Sequence, residues 1–351
     1  MADQAFWRGR RVLVTGHTGF KGAWLCLWLE KLGAVVTGYA LAPATTPSMF
    51  VDARVSDRVR SVIGDVCDHA RLASVVADAK PEVAFHLAAQ SLVRPSYADP
   101  VTTFATNVMG TVNVLDVLRR ADGLLATIIV TSDKCYENRE WVWPYRESDP
   151  MGGHDPYSAS KGCAELVTAS FARSFFEGGA IASARAGNVI GGGDWSVDRL
   201  IPDAIRAFRE GKAVRLRNPK SLRPWQHVLE PLGGYLELAE RLAAEPSRFA
   251  GGWNFGPRDE DVRPVAEVVE TLAREWGAGA RWEADSGDHP HEAKILRLDA
   301  TKARSELLWR PRLGLGEASS WTAAWYRDTI GGADAAERTL VDIQHYEEHE
   351  R

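Results

Sequence analysis

Two groups of polar residues near the middle of the chain could move protons and a hydride. Tyr157 and Lys161 stand four positions apart at the start of a helical pattern, so their side chains share one helix face. An ammonium near a phenol favours the phenolate and lowers the phenol pKa from about 10. We therefore expect Tyr157 to act as a base on a substrate hydroxyl whose carbon loses hydride. The alternative is an exposed helix face without function.

The second group follows the apolar run at residues 128–131. Ser132, Asp133 and Lys134 place a hydroxyl, a carboxyl and an amine at the end of a buried-type strand. In parallel sheets this edge is where ligands bind. Such a set indicates more than a single hydride transfer. The alternative is a polar strand end that is solvated in a loop.

A glycine-rich turn near the beginning of the chain predicts a dinucleotide site. Gly16, Gly19 and Gly22 lie between a strand pattern at residues 11–15 and a helical pattern. Glycine allows a tight turn and a close approach to a pyrophosphate, and the helix N-terminus directs free N–H groups at the phosphates. The spacing is G-x-x-G-x-x-G rather than G-x-G-x-x-G, and a turn without a ligand is the alternative.

Further segments fit the same site. Asp65 follows a strand and could accept a hydrogen bond from an adenine amino group, or it could be a helix N-cap. Residues 38–47 contain neither an acid for the ribose hydroxyls nor an Arg for a 2′-phosphate, so they do not distinguish NAD from NADP. The full set of residues expected to bind the cofactor is Gly16, Thr18, Gly19, Phe20, Gly22, Asp65, Val66, Leu87, Ala88, Ala89, Gln90, Asn107, Thr131, Tyr157 and Lys161.

These residues need an alternating α/β scaffold to bring them together. Strands are predicted at residues 11–15, 35–39, 61–64, 83–87, 126–131, 181–185 and 253–255, the last as a candidate to return to the main sheet. Helices are predicted at residues 24–32, 71–79, 103–120, 156–176 and 229–244, and residues 335–351 as a loose helix or frayed tail. This order predicts an α/β fold: a Rossmann-type doubly wound parallel sheet with a smaller mixed α/β substrate-binding lobe. The expected cofactor domain is 1–186 plus 226–257, and the expected substrate lobe is 187–225 plus 258–351.

Composition narrows the class of protein. The 351 residues allow a large core, and the net charge of 42 − 47 = −5 argues against nucleic acid as a partner. The four cysteines are scattered, as expected for reduced thiols in the cytoplasm. The polar first nine residues do not resemble a signal peptide, and no apolar run approaches the roughly 20 residues that span a bilayer. We expect a soluble cytoplasmic protein without a membrane partner.

Across nearly its whole length the chain resembles the extended short-chain dehydrogenase/reductase family. The glycine turn, Ser132, and Tyr157 with Lys161 are shared by that entire family. Longer runs resemble one branch, the CDP-glucose 4,6-dehydratases; they are residues 15–22, 131–138, 185–195, 223–231, 254–260 and 288–293. The sister dTDP-glucose branch carries Thr-Asp-Glu where this chain has Ser132, Asp133 and Lys134, so the lysine favours the CDP branch.

The resemblance implies NAD as cofactor and CDP-glucose as substrate. Tyr157 would deprotonate the sugar 4-hydroxyl with Ser132 bonded to the same oxygen, Asp133 would protonate the departing 6-hydroxyl, and Lys134 would remove the C5 proton. Lys134 could instead orient a water or the sugar, because a lysine base must be neutral. The residues that would grip the nucleoside diphosphate are Arg185, Asn188, Arg199, Arg223, His227 and His291.

Alternatives remain open at this point. A 4-epimerase would share Tyr157 and Lys161 without needing Asp133 and Lys134, and a non-catalytic dinucleotide sensor would commonly lack Tyr157 or Lys161.

The cluster around His291 is expected to be a polar loop rather than a metal site. Trp225 is expected in the core, and Trp141 and Trp143 against the active-site loop. By resemblance, a homodimer or higher homo-oligomer forms through the helices at 103–120 and 156–176, and the product serves deoxysugar biosynthesis, such as that of O-antigen sugars.

Overall fold

A seven-stranded parallel sheet organises the fold, in the order β11-β6-β5-β4-β1-β2-β3. The computed structural model describes residues 2–176, 178–277, 279–285, 287 and 295–349. The strands of this sheet are β1 (Arg11–Thr15), β2 (Val35–Ala40), β3 (Arg60–Ile63), β4 (Val83–His86), β5 (Ala126–Val130), β6 (Ile181–Arg185) and β11 (Gly251–Asn254). All six neighbouring pairs run parallel. This is the predicted Rossmann-type sheet.

Helices cover both faces of the sheet. They are α1 (Gln4–Trp7), α2 (Phe20–Lys31), α3 (Met49–Asp52), α4 (His69–Ala79), α5 (Val93–Ala98), α6 (Pro100–Phe104), α7 (Gly110–Leu118), α8 (Pro156–Phe175), α9 (Leu200–Arg209), α10 (Leu229–Ala244), α11 (Pro246–Phe249), α12 (Val265–Trp276), α13 (Leu315–Ile330) and α14 (Ala335–Glu348). A π-helical turn, Ala105–Met109, joins α6 to α7. No helix in the described ranges is both long enough and apolar enough to cross a bilayer.

Outside the main sheet, three two-stranded sheets are formed by short strands. They pair β10 (Gln226–His227) with β7 (Val189–Ile190), β12 (Val262–Pro264) with β9 (Leu222–Pro224), and β13 (Arg281–Ala284) with β8 (Ala213–Leu216). These strands, with α9 and α12, follow β6 in the chain.

The central strands form because both their faces are buried. Every residue of β4, β5 and β6 is buried, and the three are built mainly from Val, Ile, Ala and Phe, which is typical of parallel strands covered by helices on both sides. One hydrophobic cluster contains residues of α2 and α10 on one face, and a second contains residues of α4 and α7 on the other. The sheet is therefore rigid where its carboxyl ends must hold a site.

The predicted elements are largely confirmed, with two corrections. Residues 251–254 do return to the main sheet, pairing with β6. The expected loose tail is wrong: α14 is a packed helix, because Ala336, Ile343 and Tyr346 form a buried stripe among its charged residues. The prediction that Trp143 packs against the active-site loop is also wrong, since its side chain is 67% exposed. Trp141, by contrast, stacks on Tyr145.

Candidate active site

The glycine turn lies at the carboxyl end of β1, beside the point where strand order reverses. Gly16 has φ +78°, and a Cβ there would lie 2.6 Å from the Ala88 nitrogen. A Cβ on Gly22 would lie 2.1 Å from the Gly16 carbonyl oxygen. Both positions therefore exclude any side chain, whereas Gly19 would make only ordinary contact at 3.4 Å. The backbone itself forms a close-fitting cradle.

The N-terminus of α2 opens into this cradle. Gly19 is its N-cap, and no side chain caps the helix. The first N–H groups of a helix have no intrahelical partner, so they and the helix dipole are suited to a phosphate. Thr18 donates to the Leu41 carbonyl at 2.8 Å, which connects the turn to the end of β2. The residues present fit the pyrophosphate of a dinucleotide.

Asp65 follows β3, and one of its carboxylate oxygens is in use. Its Oδ1 accepts from the Cys67 amide at 2.8 Å. The N-cap of α4 is Asp68, which accepts from Arg71, so the N-cap alternative for Asp65 is wrong. Val66, by contrast, is buried against Gly110 and presents no side chain to a ligand.

The segment after β4 is fixed in place by hydrogen bonds to Asn107. Asn107 accepts from the Gln90 amide at 2.8 Å and donates to the Gln90 carbonyl at 2.9 Å. It also donates to Ser160 at 2.8 Å, so it joins this segment to α8. With all these bonds internal and 2% of the residue exposed, Asn107 positions the loop that contains Leu87, Ala88 and Ala89.

Tyr157 and Ser132 meet at the sheet edge, as predicted. The Ser132 hydroxyl is close enough to the phenol to lower its pKa, but burial is the larger effect and raises the pKa of Tyr157 to about 12. The expected lowering of this pKa by Lys161 is therefore not found. Lys161 instead donates to the Val130 carbonyl at 3.2 Å, and burial lowers its pKa to about 8.

Asp133 lies beside this pair and is 3% exposed. Its Oδ1 accepts from the Ser132 hydroxyl at 2.9 Å, while its Oδ2 has no hydrogen-bond partner among the described residues. A Cβ on Gly187 would lie 1.9 Å from that Oδ2, so only glycine fits there. Lys134 is half-buried in the same short 3-10 turn. A carboxyl, a hydroxyl and a phenol thus lie together at the end of β5.

Sequence reasoning missed Lys21, which lies in the same charged region. Its ammonium is 6.0 Å from the centre of the Tyr235 ring. Burial, then the cations Arg199 and Lys161, lower its pKa to about 7, while Asp133 and Asp194 oppose this. The sequence feature that could have indicated Lys21 as a site residue is its position inside the glycine turn, where a charged side chain stands among apolar or small residues.

Arg185 does not face a substrate, which corrects the sequence prediction. Its guanidinium binds Glu165 through Nε at 2.9 Å and Nη2 at 2.8 Å, and Nη1 donates to the Tyr136 hydroxyl at 2.7 Å. Thr131 also points into this pair, donating its hydroxyl to Glu165, so its side chain is not available to a cofactor. The apolar run before Ser132 gave no sign of this internal partner.

His227 is a second correction. It is 0% exposed between the rings of Trp24 and Trp321, and burial lowers its pKa to about 3. A neutral, enclosed imidazole cannot grip a diphosphate. Trp225, 6% exposed with its indole N–H on the Arg263 carbonyl, is in the core as expected.

The remaining substrate predictions have different outcomes. Arg199 is partly exposed and bonds Asp194 and Ser91, each at 3.1 Å, so it lies at the cleft with Lys21. Asn188, at φ +46°, is half-buried on the same β6–β7 connection as Gly187. Arg223 is 8% exposed and donates to the Leu222 carbonyl at 3.0 Å. His291 lies outside the described residues.

Comparisons with known proteins agree with this architecture. A family model described as GDP-mannose 4,6 dehydratase matches residues 13–320. A CDP-glucose 4,6-dehydratase of Salmonella typhimurium is 53% identical, covering 99% of this chain and 98% of its own. A dTDP-glucose 4,6-dehydratase of Streptomyces griseus is 30% identical, covering 90% and 93%.

Solved structures share the fold. A UDP-glucose 4-epimerase of Thermotoga maritima with UDP-glucose gives a TM-score of 0.78 at 21% identity, covering 91% of this chain and 99% of its own. A dTDP-glucose 4,6-dehydratase of Bacillus anthracis in complex with NAD gives 0.76 at 20% identity, covering 92% and 98%. At these identities the likeness concerns architecture.

Proposed function

The chain belongs to the GDP-mannose 4,6-dehydratase family, and from that membership we propose that it is an NAD-dependent CDP-glucose 4,6-dehydratase, a hydro-lyase. It would convert CDP-glucose to CDP-4-keto-6-deoxyglucose. The observation that carries this proposal is the buried Asp133 carboxyl directly beside the Ser132–Tyr157 pair. A simple hydride transfer needs the pair alone, whereas loss of water also needs an acid.

The side chains divide the reaction into steps. Tyr157, bonded to Ser132, takes the proton of the sugar 4-hydroxyl as C4 is oxidised, and the 4-ketone acidifies the C5 proton. Lys134 removes that proton, and Asp133 protonates the departing 6-hydroxyl. C6 then receives hydride and C5 is reprotonated. The glycine turn and the N-terminus of α2 would hold NAD, which would take up hydride from C4 and return it to C6, so there is no net redox change.

A 4-epimerase is the second candidate, because epimerases share the fold and the Tyr157–Lys161 spacing. It would have no use for Asp133 and Lys134 as an elimination pair. The buried Asp133 carboxyl, bonded to Ser132 and given room by Gly187, favours dehydration, since it would supply the acid that loss of water needs.

The proposal extends to organisation and setting. The cofactor domain would be 1–186 plus 226–257 and the substrate lobe 187–225 plus 258–351. A homodimer would form where α6, the π-helical turn at Ala105–Met109 and α8 expose apolar side chains; these are Val101, Phe104, Met109 and Leu166. The enzyme would act in the cytoplasm and supply deoxysugar biosynthesis, such as that of O-antigen sugars.

The test is to incubate the purified protein and NAD with CDP-glucose, and in parallel with dTDP-, UDP- and GDP-glucose. Product is followed by the alkaline absorbance of the 4-keto sugar and by a mass loss of one water. Product from CDP-glucose alone supports the proposal. Product from another nucleotide overturns the base assignment, and a 4-epimer without mass loss supports the epimerase.

A further inference from the structure

A buried ion pair lies directly behind the catalytic turn, defined here as residues 132–134. Glu165 on α8 and Arg185 on β6 form two parallel hydrogen bonds, and each side chain is 5% exposed. Arg185 and its bonds lower the pKa of Glu165 even though burial alone would raise it, so the carboxylate is ionised. Bidentate pairs of this kind fix orientation as well as distance.

The pair holds both ends of the catalytic turn. Thr131, immediately before the turn, donates its hydroxyl to Glu165. Tyr136, two residues after it, accepts from Arg185 at 2.7 Å and donates to Asn254 at 2.7 Å. The backbone of the turn is therefore tied at entry and exit to one rigid unit.

The same pair is built into the helix that carries the base. Glu165 lies about one helical turn after Lys161 and about two turns after Tyr157 on α8. The Oε2 atom of Glu165 accepts a hydrogen bond from the Ser183 hydroxyl on β6 at 2.6 Å, which connects the helix to the sheet. Any slip of α8 along β5 and β6 would break these bonds, so they set the distance between Tyr157 and the turn.

We propose that Glu165 and Arg185 are positioning residues that hold the catalytic turn in register with Tyr157 without contacting the sugar nucleotide. The inference rests on the proposed function. It replaces the diphosphate role predicted for Arg185, whose donors are taken by Glu165, Tyr136 and the Glu147 carbonyl. Positioning of this kind acts on the chemical step, because small displacements of reacting groups cost roughly 100-fold in rate.

The decisive variant is Glu165→Gln, which keeps the shape and removes the charge. We expect kcat with CDP-glucose to fall about 100-fold, while KM for CDP-glucose and the Kd of CDP change less than about threefold. The matched control is Glu283→Gln, which alters an exposed ion pair with Arg215 at 2.8 Å and should keep wild-type kcat. Circular dichroism verifies that each variant is folded.

A folded Glu165→Gln protein with wild-type kcat overturns the inference. So does a raised KM with unchanged kcat, because that result assigns the pair to substrate binding. Should Glu165→Gln fail to fold, Thr131→Val removes one bond to Glu165 and Thr131→Ser retains it. Thr131→Val is expected to lower kcat about tenfold and Thr131→Ser to restore it, and equal rates contradict the inference. A wild-type protein inactive on every nucleotide-glucose instead refutes the proposed function, and this inference with it.

Discussion

At the scale of single residues, burial decides the charge state of the groups that react. Tyr157 and Lys161 lie four positions apart, yet burial raises the pKa of the phenol to about 12 and lowers that of the amine to about 8. Both groups are thereby biased toward their neutral forms.

Tyr157→Phe tests the base. The variant keeps the ring and removes the proton acceptor, so kcat with CDP-glucose should fall by about 10²–10⁴ with little change in KM. Steady-state kinetics measure both quantities. A variant that retains wild-type kcat would show that another group takes the proton.

Gly187→Ala tests the placement of Asp133. A Cβ would lie 1.9 Å from the Asp133 Oδ2, so the carboxyl must move, and loss of water should slow about 100-fold. In single turnovers the reduced nicotinamide signal should still rise while the dehydrated product is delayed. Gly316→Ala on α13 meets nothing within 4 Å and is the matched control, expected at wild-type rate. Equal loss of both signals would contradict a role limited to elimination.

At the scale of elements, a buried carboxyl joins α10 to α14. Glu230 on α10 accepts from the amides of Arg312 and Leu313 at 2.8 and 2.7 Å and from the Tyr346 hydroxyl at 2.9 Å. Burial raises its pKa to about 7, against the opposing effect of these donors. The docking of the C-terminal helix therefore depends on the protonation of one residue.

This pKa makes stability depend on pH with a definite sign. Between about pH 4.5 and 7 the folded state binds more protons at Glu230 than the unfolded state, so unfolding free energy falls as pH rises. Glu230→Gln should remove up to about 3 kcal/mol of that decline, measured by urea unfolding at pH 5 to 8. The exposed Glu337→Gln on α14 should keep the wild-type slope. A wild-type slope in Glu230→Gln would place the sensitive group elsewhere.

At the scale of the whole molecule, one face remains apolar. Val101 is 78% exposed, Met109 52% and Leu166 61%, on helices that pack against one another. Isolated exposed apolar residues are ordinary, but several on adjoining helices are typical of an interface. Leu166 and Tyr157 lie on the same helix, so the proposed dimer would involve the element that holds the proposed base.

Leu166→Glu tests whether this face joins two copies. A buried charge without a partner is strongly unfavourable, so light scattering should report a monomer where the wild type is a dimer. Val341→Glu, at a 43% exposed position on α14, should leave the mass unchanged. A wild-type monomer, or a dimer that persists in Leu166→Glu, would contradict the proposal.

Local features follow from residues that are close together in the sequence. Strand periodicity and the glycine turn depend on neighbours along the chain, so the sheet and its βα order could be predicted, as could the shared helix face of Tyr157 and Lys161. The packed α14 could not be, because its buried stripe is interrupted by charges and its partners lie about 100 residues or more away on α10 and α2.

Only the tertiary structure decided which charges face the cleft. Arg185 and His227 looked like substrate ligands because arginine and histidine suit phosphates, but their partners Glu165, Trp24 and Trp321 are distant in sequence. Lys21 belongs to the charged region of the site because folding brings it close to Arg199. Residue type states what a side chain can do, and long-range packing, which fixes its burial and partners, determines whether it meets a ligand.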